Sequence, residues 1–564
     1  MEALDWLVIG VFFLALIGII VWVVRQKQND SADYFLGGRD ATWLAIGASI
    51  FASNIGSEHL IGLAGAGASS GMAMAHWEIQ GWMILILGWV FVPFYTRSMV
   101  YTMPEFLERR YNPQSRTILS VISLVSYVLT KVAVTVYAGG LVFQQVFGIK
   151  ELWGIDFFWI AAIGLVVLTA LYTIFGGMKS VLYTSVLQTP ILLLGSLIIL
   201  VLGFKELGGW DEMMRVCGAV TVNDYGDTMT NLIRSNDDAN FPWLGALIGS
   251  AIIGFWYWCT DQFIVQRVLS GKNEMEARRG TIFGAYLKLL PVFLFLIPGM
   301  IAFALHQKYI GAGGEGFLPM LVNGTANADA AFPTLVAKLL PAGVKGLVVC
   351  GILAALMSSL ASLFNSSAML FTIDFYKRFR PETPEKKLVG IGQVATVVIV
   401  ILGILWIPIM RSVGDVLYTY LQDVQSVLAP GIAAAFLLGI CWKRTSAQGG
   451  MWGLIAGMVI GLTRLGAKVY YSNAGEVADS TFKYLFYDMN WLFFCGWMFL
   501  FCIIVVIVVS LATKAPTAEK IQGLVFGTAT KEQKAATRAS WNHWDIIHTV
   551  IILAITGAFY WYFW

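Results

Sequence analysis

Apolar residues run in blocks of twenty or more along this chain, and short polar stretches separate the blocks. A helix needs about 20 predominantly apolar residues to cross the roughly 30 Å hydrocarbon core of a bilayer. Fourteen runs reach that length, at approximately 5–24, 42–68, 72–96, 117–147, 155–176, 180–203, 243–267, 279–306, 344–374, 388–410, 415–440, 448–467, 490–512 and 545–563. The pattern predicts an all-α polytopic membrane protein with one spanning helix per run. The two longest connections, around 204–242 and 307–343, are rich in Asp, Gly and Asn and show no domain of their own.

Two runs carry polar interruptions. The first is Ser53-Asn54-Ile55-Gly56-Ser57-Glu58-His59, inside residues 43–68; the second is G-F-W-Y-W-C-T-D-Q at 254–262, inside residues 243–268. Lipid offers no hydrogen-bond partner, so non-helical backbone at membrane depth survives only where it lines a protein cavity. Interrupted segments in corresponding halves of a chain point to a transporter's binding site. Runs two to six and seven to eleven form two sets of five, each opening on an interrupted run. An odd number of spans gives the sets opposite orientation, which predicts an inverted five-helix repeat with sites near the bilayer midplane. The expected organisation is an extra helix and linker at 1–41, a first repeat at 42–203, an outer loop at 204–242, a second repeat at 243–440 and three further helices at 441–564.

Composition narrows the class. The chain of 564 residues is 58% hydrophobic and 13% charged, against about 25% charged in soluble globular proteins. A net charge of +3 gives no reason to expect a nucleic-acid partner. The six cysteines fall mostly inside apolar runs, without metal-ligand spacing or a disulfide framework. Placing the N-terminus outside puts the larger share of the 37 Lys and Arg on one face, the cytoplasmic one by the positive-inside rule. Both termini are then expected outside a plasma membrane, the inner membrane in a bacterium. The opening run lacks a basic lead and a small-residue cleavage site and reads as a retained helix. No glycine loop ending in GK[ST] is present, which argues against direct ATP coupling.

Candidate chemistry concentrates at the interruptions. A sodium site needs several uncharged oxygens, which a helix break and facing hydroxyls supply. The break offers the carbonyls of Ala52 and Ile55, and Ser358 and Ser359 stand in L-A-A-L-M-S-S-L-A-S. Small residues and serines also serve close helix packing in membranes, so spacing leaves both readings open. A sugar site needs hydrogen-bonding side chains and an aromatic face. Polar candidates deep in the runs are Asn54, Glu58, His59, Glu78, Lys288, Gln422 and Asp423, with aromatic Trp77, Trp256, Tyr257, Trp258 and Tyr418. Ionisable residues within membrane helices read as functional by default. The competing readings are a structural Glu78–Lys288 ion pair, a satisfied core histidine at 59, and ordinary packing or interfacial tryptophans.

Lys131 has no acid within one helical turn and calls for a tertiary partner or snorkelling. Asn323-Gly-Thr fits a glycosylation acceptor. An intramembrane enzyme built on Glu58-His59 would lack a nucleophile motif and a metal-ligand set.

Several stretches resemble the sodium/solute symporter family, in its sodium/glucose cotransporter branch. They are S-N-I-G-S-E-H-L-I-G-L-A-G-A-G from Ser53, L-G-W-V-F-V-P-F-Y from Leu87, T-M-P-E-F-L-E-R-R-Y from Thr102, W-Y-W-C-T-D-Q-F-I-V-Q-R from Trp256, Y-L-K-L-L-P from Tyr286 and L-M-S-S-L-A-S-L-F-N-S from Leu356. The resemblance implies a leucine-transporter-like fold and sodium-coupled hexose import. It implies sodium held by carbonyls of Ala52, Ile55 and Ala355 and hydroxyls of Ser358 and Ser359. It implies sugar bound by Asn54, His59, Glu78, Lys288, Gln422 and the Trp258 indole, with Tyr257 as stacking inner gate and Leu63, Trp77 and Tyr418 as outer gate. Gly254 stands where relatives place a Thr or Asn. Ser185 and Ala361 replace an Asp and a Thr of a second sodium site, so the expectation is one sodium per sugar. A sodium symporter for myo-inositol or another polar solute is the alternative, and the oligomeric state is left open.

Overall fold

In the computed structural model the apolar runs are helical, as the need to pair every backbone group in lipid requires. The structure describes residues 1–26, 30–56, 58–321, 324–411, 417–473 and 478–564. The side chains of Glu58, Tyr418 and Asp423 lie outside the described part, as does Asn323. Among the described residues, 11 helical stretches are long and apolar enough to cross a membrane, and two shorter apolar helices begin at Trp43 and Ala133.

Among the described residues the expected spans do not map one to one onto these stretches, for two physical reasons. A broken helix contributes a half too short to span, as Trp43–Asn54 does. The runs at 155–176 and 180–203 are two helices that follow one another directly within Phe157–Leu207, meeting at the non-helical Gly177 (φ 51°, ψ −147°) without a connecting loop. A Cβ at Gly177 would stand 2.4 Å from the Tyr34 carbonyl oxygen, so glycine serves both the left-handed backbone and the close approach.

Both expected breaks are present, and the second is narrower than the polar cluster suggested. Trp43–Asn54 ends at Ile55, which is extended (φ −79°, ψ 100°), and the chain resumes as a π-helical turn at Glu58–Leu63. Trp243–Gly254, by contrast, continues without interruption into the π-helical turn Phe255–Thr260. The Asp261 N–H still reaches back to the Trp256 carbonyl at 3.0 Å. The backbone opens only at Asp261 (ψ 127°), before Gln262–Leu269. W-Y-W-C-T therefore keeps its hydrogen bonds by widening the helix instead of breaking it.

Trp43–Asn54 packs on Glu274–Lys288, and Phe157–Leu207 packs along Val344–Met369. Leu417–Cys441, Ala447–Asn473 and Trp491–Ala512 pack on one another. The burial pattern inverts that of a soluble protein. Leu14, Leu405 and Val508 are exposed on the periphery, while Glu78, Lys131, Asp261 and Lys288 are buried inside.

Candidate functional site

Several helices end at one place, and their terminal side chains meet there. Asn54 is the last residue of Trp43–Asn54, Glu78 of Ala75–Glu78 and Lys288 of Glu274–Lys288. Helix ends leave backbone groups unpaired, and a lysine at a C-terminus complements the dipole. Lys288 Nζ lies 2.6 Å from Glu78 Oε2 and donates to Asn54 Oδ1 at 3.2 Å. Asn54 Nδ2 donates in turn to the Tyr257 hydroxyl at 3.2 Å. His59 Nε2 stands 3.3 Å from Glu78 Oε2, without the alignment of a hydrogen bond. Glu78 and Lys288 are thus an ion pair, and the pair faces a cavity.

That cavity, about 60 Å³ in volume, lies between the two broken helices. Its wall contains all seven side chains expected around the substrate: Asn54, His59, Glu78, Tyr257, Trp258, Lys288 and Gln422. Trp77 also lines it, stacked on Trp491 at 5.6 Å. Three π-helical turns, at Glu58–Leu63, Tyr127–Val132 and Phe255–Thr260, deliver His59, Lys131 and the Tyr257-Trp258 pair to the wall. Such turns are rare and recur at functional sites. Among the described residues, both ring nitrogens of His59, the Trp77 indole nitrogen and Gln422 Oε1 are buried without a hydrogen-bond partner. Native buried polar groups are nearly always paired. Four unpaired atoms on one small cavity leave donors and acceptors open to a polar ligand.

One side of the cavity is built on charge. Lys131 Nζ lies 2.6 Å from Asp261 Oδ2, and the Tyr127 hydroxyl bonds the other carboxylate oxygen. The tertiary partner expected for Lys131 is therefore Asp261. The ammonium also sits 4.7 Å from the ring centres of both Tyr257 and Phe263, at cation–π range. Asp261 caps Gln262–Leu269 by accepting the Phe263 N–H at 3.2 Å.

Of the residues expected around a cation, Ser359 faces the first broken helix and Ser358 faces Ser185. Ser359 Oγ donates to the Ser53 carbonyl at 2.8 Å, and Ser53 Oγ meets Ser362 Oγ at 2.6 Å. Ser358 Oγ lies 3.3 Å from Ser185 Oγ. Ala52, Ile55 and Ala355 are at most 1% exposed. In the last turn of Trp43–Asn54 the Phe51 carbonyl still accepts from the Ile55 N–H at 3.0 Å, while the Ser53 carbonyl is met by Ser359. Uncharged oxygens from a helix end and facing hydroxyls suit a monovalent cation that must be released again.

Leu63 is fully buried but stands off the cavity wall. The outer-gate expectation at Tyr418 lies outside the described residues, as do the side chains of Glu58 and Asp423. The structure adds Gln80, Phe263 and Gln425 to the wall. Gln80 was visible as a polar residue in an apolar run two positions from Glu78, whereas nothing in the sequence pairs Lys131 with Asp261.

Broken helices around a polar cavity within a membrane-spanning bundle define a secondary transporter. The Sodium:solute symporter family pattern matches residues 34–457, and the chain belongs to that family. It is 36% identical to sodium/myo-inositol cotransporter 2 of Homo sapiens over 542 residues, covering 94% of this chain and 79% of the relative. It is also 36% identical to sodium/glucose cotransporter 4 of Danio rerio, over 92% of this chain and 80% of that one. A solved Na+-coupled sialic acid symporter in a substrate-bound outward-open state shares the fold, with a TM-score of 0.72, 21% identity and coverage of 92% and 99%. The protein is a multi-pass membrane transporter of leucine-transporter fold, a sodium-coupled solute symporter and not an enzyme.

Proposed function

We propose that the cargo is a neutral polyhydroxylated ring, a hexose of the glucose or galactose type, imported with one sodium ion by alternating access. The observation that carries this is the charge balance of the cavity. Glu78 is matched by Lys288 and Asp261 by Lys131, while His59, Trp77 and Gln422 present buried atoms without a hydrogen-bond partner. A carboxylate-bearing cargo would call for an unmatched cation, and among the described residues no arginine lines the cavity. A ring with several hydroxyls satisfies the free donors and acceptors, and Tyr257 supplies an aromatic face for its C–H side. Myo-inositol is the second reading, favoured by the sodium/myo-inositol cotransporters among the relatives.

Sodium would bridge the carbonyls of Ala52 and Ile55 and the helix bearing Ser358 and Ser359, closing that helix pair and favouring the outward-open state. Cargo then binds and Trp77 closes over it. Loss of sodium frees the pair, Tyr257 moves, and cargo leaves. A ligand shifts such an equilibrium only by its differential affinity for the two states. Ser185 and Ala361 bring no carboxylate, which supports a single ion. One charge through 100 mV gives about 2.3 kcal/mol, and a tenfold sodium gradient adds roughly 1.4 kcal/mol. Their sum supports on the order of 500-fold accumulation.

Counterflow in proteoliposomes tests the reading. Sodium should drive uptake of labelled glucose or galactose, competed by the preferred ring and not by sialic acid. Strong competition by sialic acid, or equal counterflow without sodium, would overturn it.

A further inference from the structure

Gly254 lies on the cavity wall, and the space its missing side chain leaves is filled by another residue. A Cβ at this position would stand 2.5 Å from Gln80 Oε1, 2.9 Å from its Cδ and 3.0 Å from its Nε2. The overlap is with the amide end of a flexible side chain, so a Cβ here would displace the amide and leave the backbone in place. Gln80 is 3% exposed and lines the cavity. Its Nε2 donates to the Ser250 carbonyl at 2.8 Å, and its Oε1 accepts from the Trp258 indole at 3.3 Å. Only the amine end can donate to a carbonyl and only the oxygen can accept from an indole, so these two partners fix the amide's orientation.

This has two consequences for the wall. The indole nitrogen carries a single hydrogen, and in this arrangement Trp258 commits it to Gln80 rather than to a ligand. The amide keeps one N–H and one oxygen lone pair in addition to the bonds above, both in one rigid plane. That is the complement of two neighbouring hydroxyls, one accepting and one donating.

We infer that Gln80, seated in the space left by Gly254, is a specificity-determining residue that reads an adjacent hydroxyl pair on the cargo. Ser250 and Trp258 act as positioning residues that hold its amide in register. The inference rests on the polyol reading above and assigns it a reader. A cargo lacking one of the two hydroxyls leaves a buried amide atom unpaired, and sites built this way reject the deficient analogue strongly.

The test uses monodeoxy derivatives of whichever polyol the wild-type protein transports. In wild type, one or two of them should show uptake efficiency lower by about tenfold or more, the scale of one unpaired buried group. Gln80→Met keeps the volume and removes the hydrogen bonds. It should lower uptake of the parent polyol and bring those particular deoxy penalties to near unity, while the half-saturating sodium concentration stays put. Gly254→Thr, whose Cβ must push the amide off its seat, should flatten the same penalties with Gln80 still present; sodium-dependent tryptophan fluorescence reports that each variant is folded. Deoxy penalties that survive in either folded variant overturn the assignment of Gln80 and leave the polyol reading standing. Absence of sodium-driven polyol uptake in the wild type overturns both.

Discussion

At the first break the chain opens over uncharged residues, Ser53 to Gly56; at the second it opens on a carboxylate, Asp261, held by an ammonium and a phenol. Both breaks expose backbone that lipid could not satisfy, yet they compensate it differently. The first leaves its carbonyls to hydroxyls of the neighbouring helix, through contacts such as Ser359 to Ser53 at 2.8 Å. Neutral contacts of this sort are each worth about 1 kcal/mol and can be exchanged for a cation and reformed. The second is pinned by an ion pair buried among rings. Losing one partner of such a pair costs far more. The half proposed to hold the ion is thus built from weak, replaceable contacts, and the other half from a strong fixed one.

The sharpest way to break this contrast is to remove one charge at the second break. Asp261→Asn or Lys131→Met should cost about 3–5 kcal/mol, seen as loss of monodisperse protein or a large drop in melting midpoint. The double variant Lys131→Met/Asp261→Leu should recover much of it, because replacing a whole buried pair by apolar groups is often near neutral. Single variants that melt with the wild type would show that charge does not hold this break.

At the first break the expected effect is smaller on stability and larger on ion dependence. Ser359→Ala should change the midpoint by about 1 kcal/mol or less while raising the half-saturating sodium concentration about tenfold, equivalent to about 1.4 kcal/mol. An unchanged sodium requirement would remove Ser359 from the oxygen set. Sodium titration of uptake should also give a Hill coefficient near one, and a value near two with matching charge-to-cargo flux would restore a second site beside Ser185.

The smallest expected effect concerns the outer flank of the first broken helix, where Asp329 in the turn Ala328–Ala330 packs against Ala64–Ser70. Burial pushes its carboxyl up to about 6 from an ordinary 3.8. A raised value means this packing is fully favourable below the ordinary value and weakens as pH rises through about 6. Asp329→Asn should therefore raise the melting midpoint at pH 7.5 and leave it unchanged near pH 4; equal effects at both would refute burial as the cause.

Much of this site was legible because a polar residue in an apolar run has no cheap place to go. Asn54, His59, Glu78, Lys288 and Gln422 stood out for that reason, and all line one cavity. The position of the second break was not legible. A π-helical turn keeps its hydrogen bonds while looking irregular in sequence, so 254–260 read as broken when only Asp261 is. Lys131 and Asp261 lie 130 residues apart, and no periodicity within either helix announces such a meeting. The setting of Gln80 is not legible either, because it depends on an absence, the missing side chain at Gly254.

The matched ions around the cavity bear on how the transporter responds to voltage. With Glu78 against Lys288 and Asp261 against Lys131, these four groups sum to nothing, so moving them together carries no net charge through the field. Any charge the empty carrier moves as it resets must then come from groups other than these four, and transient currents recorded without cargo would measure it.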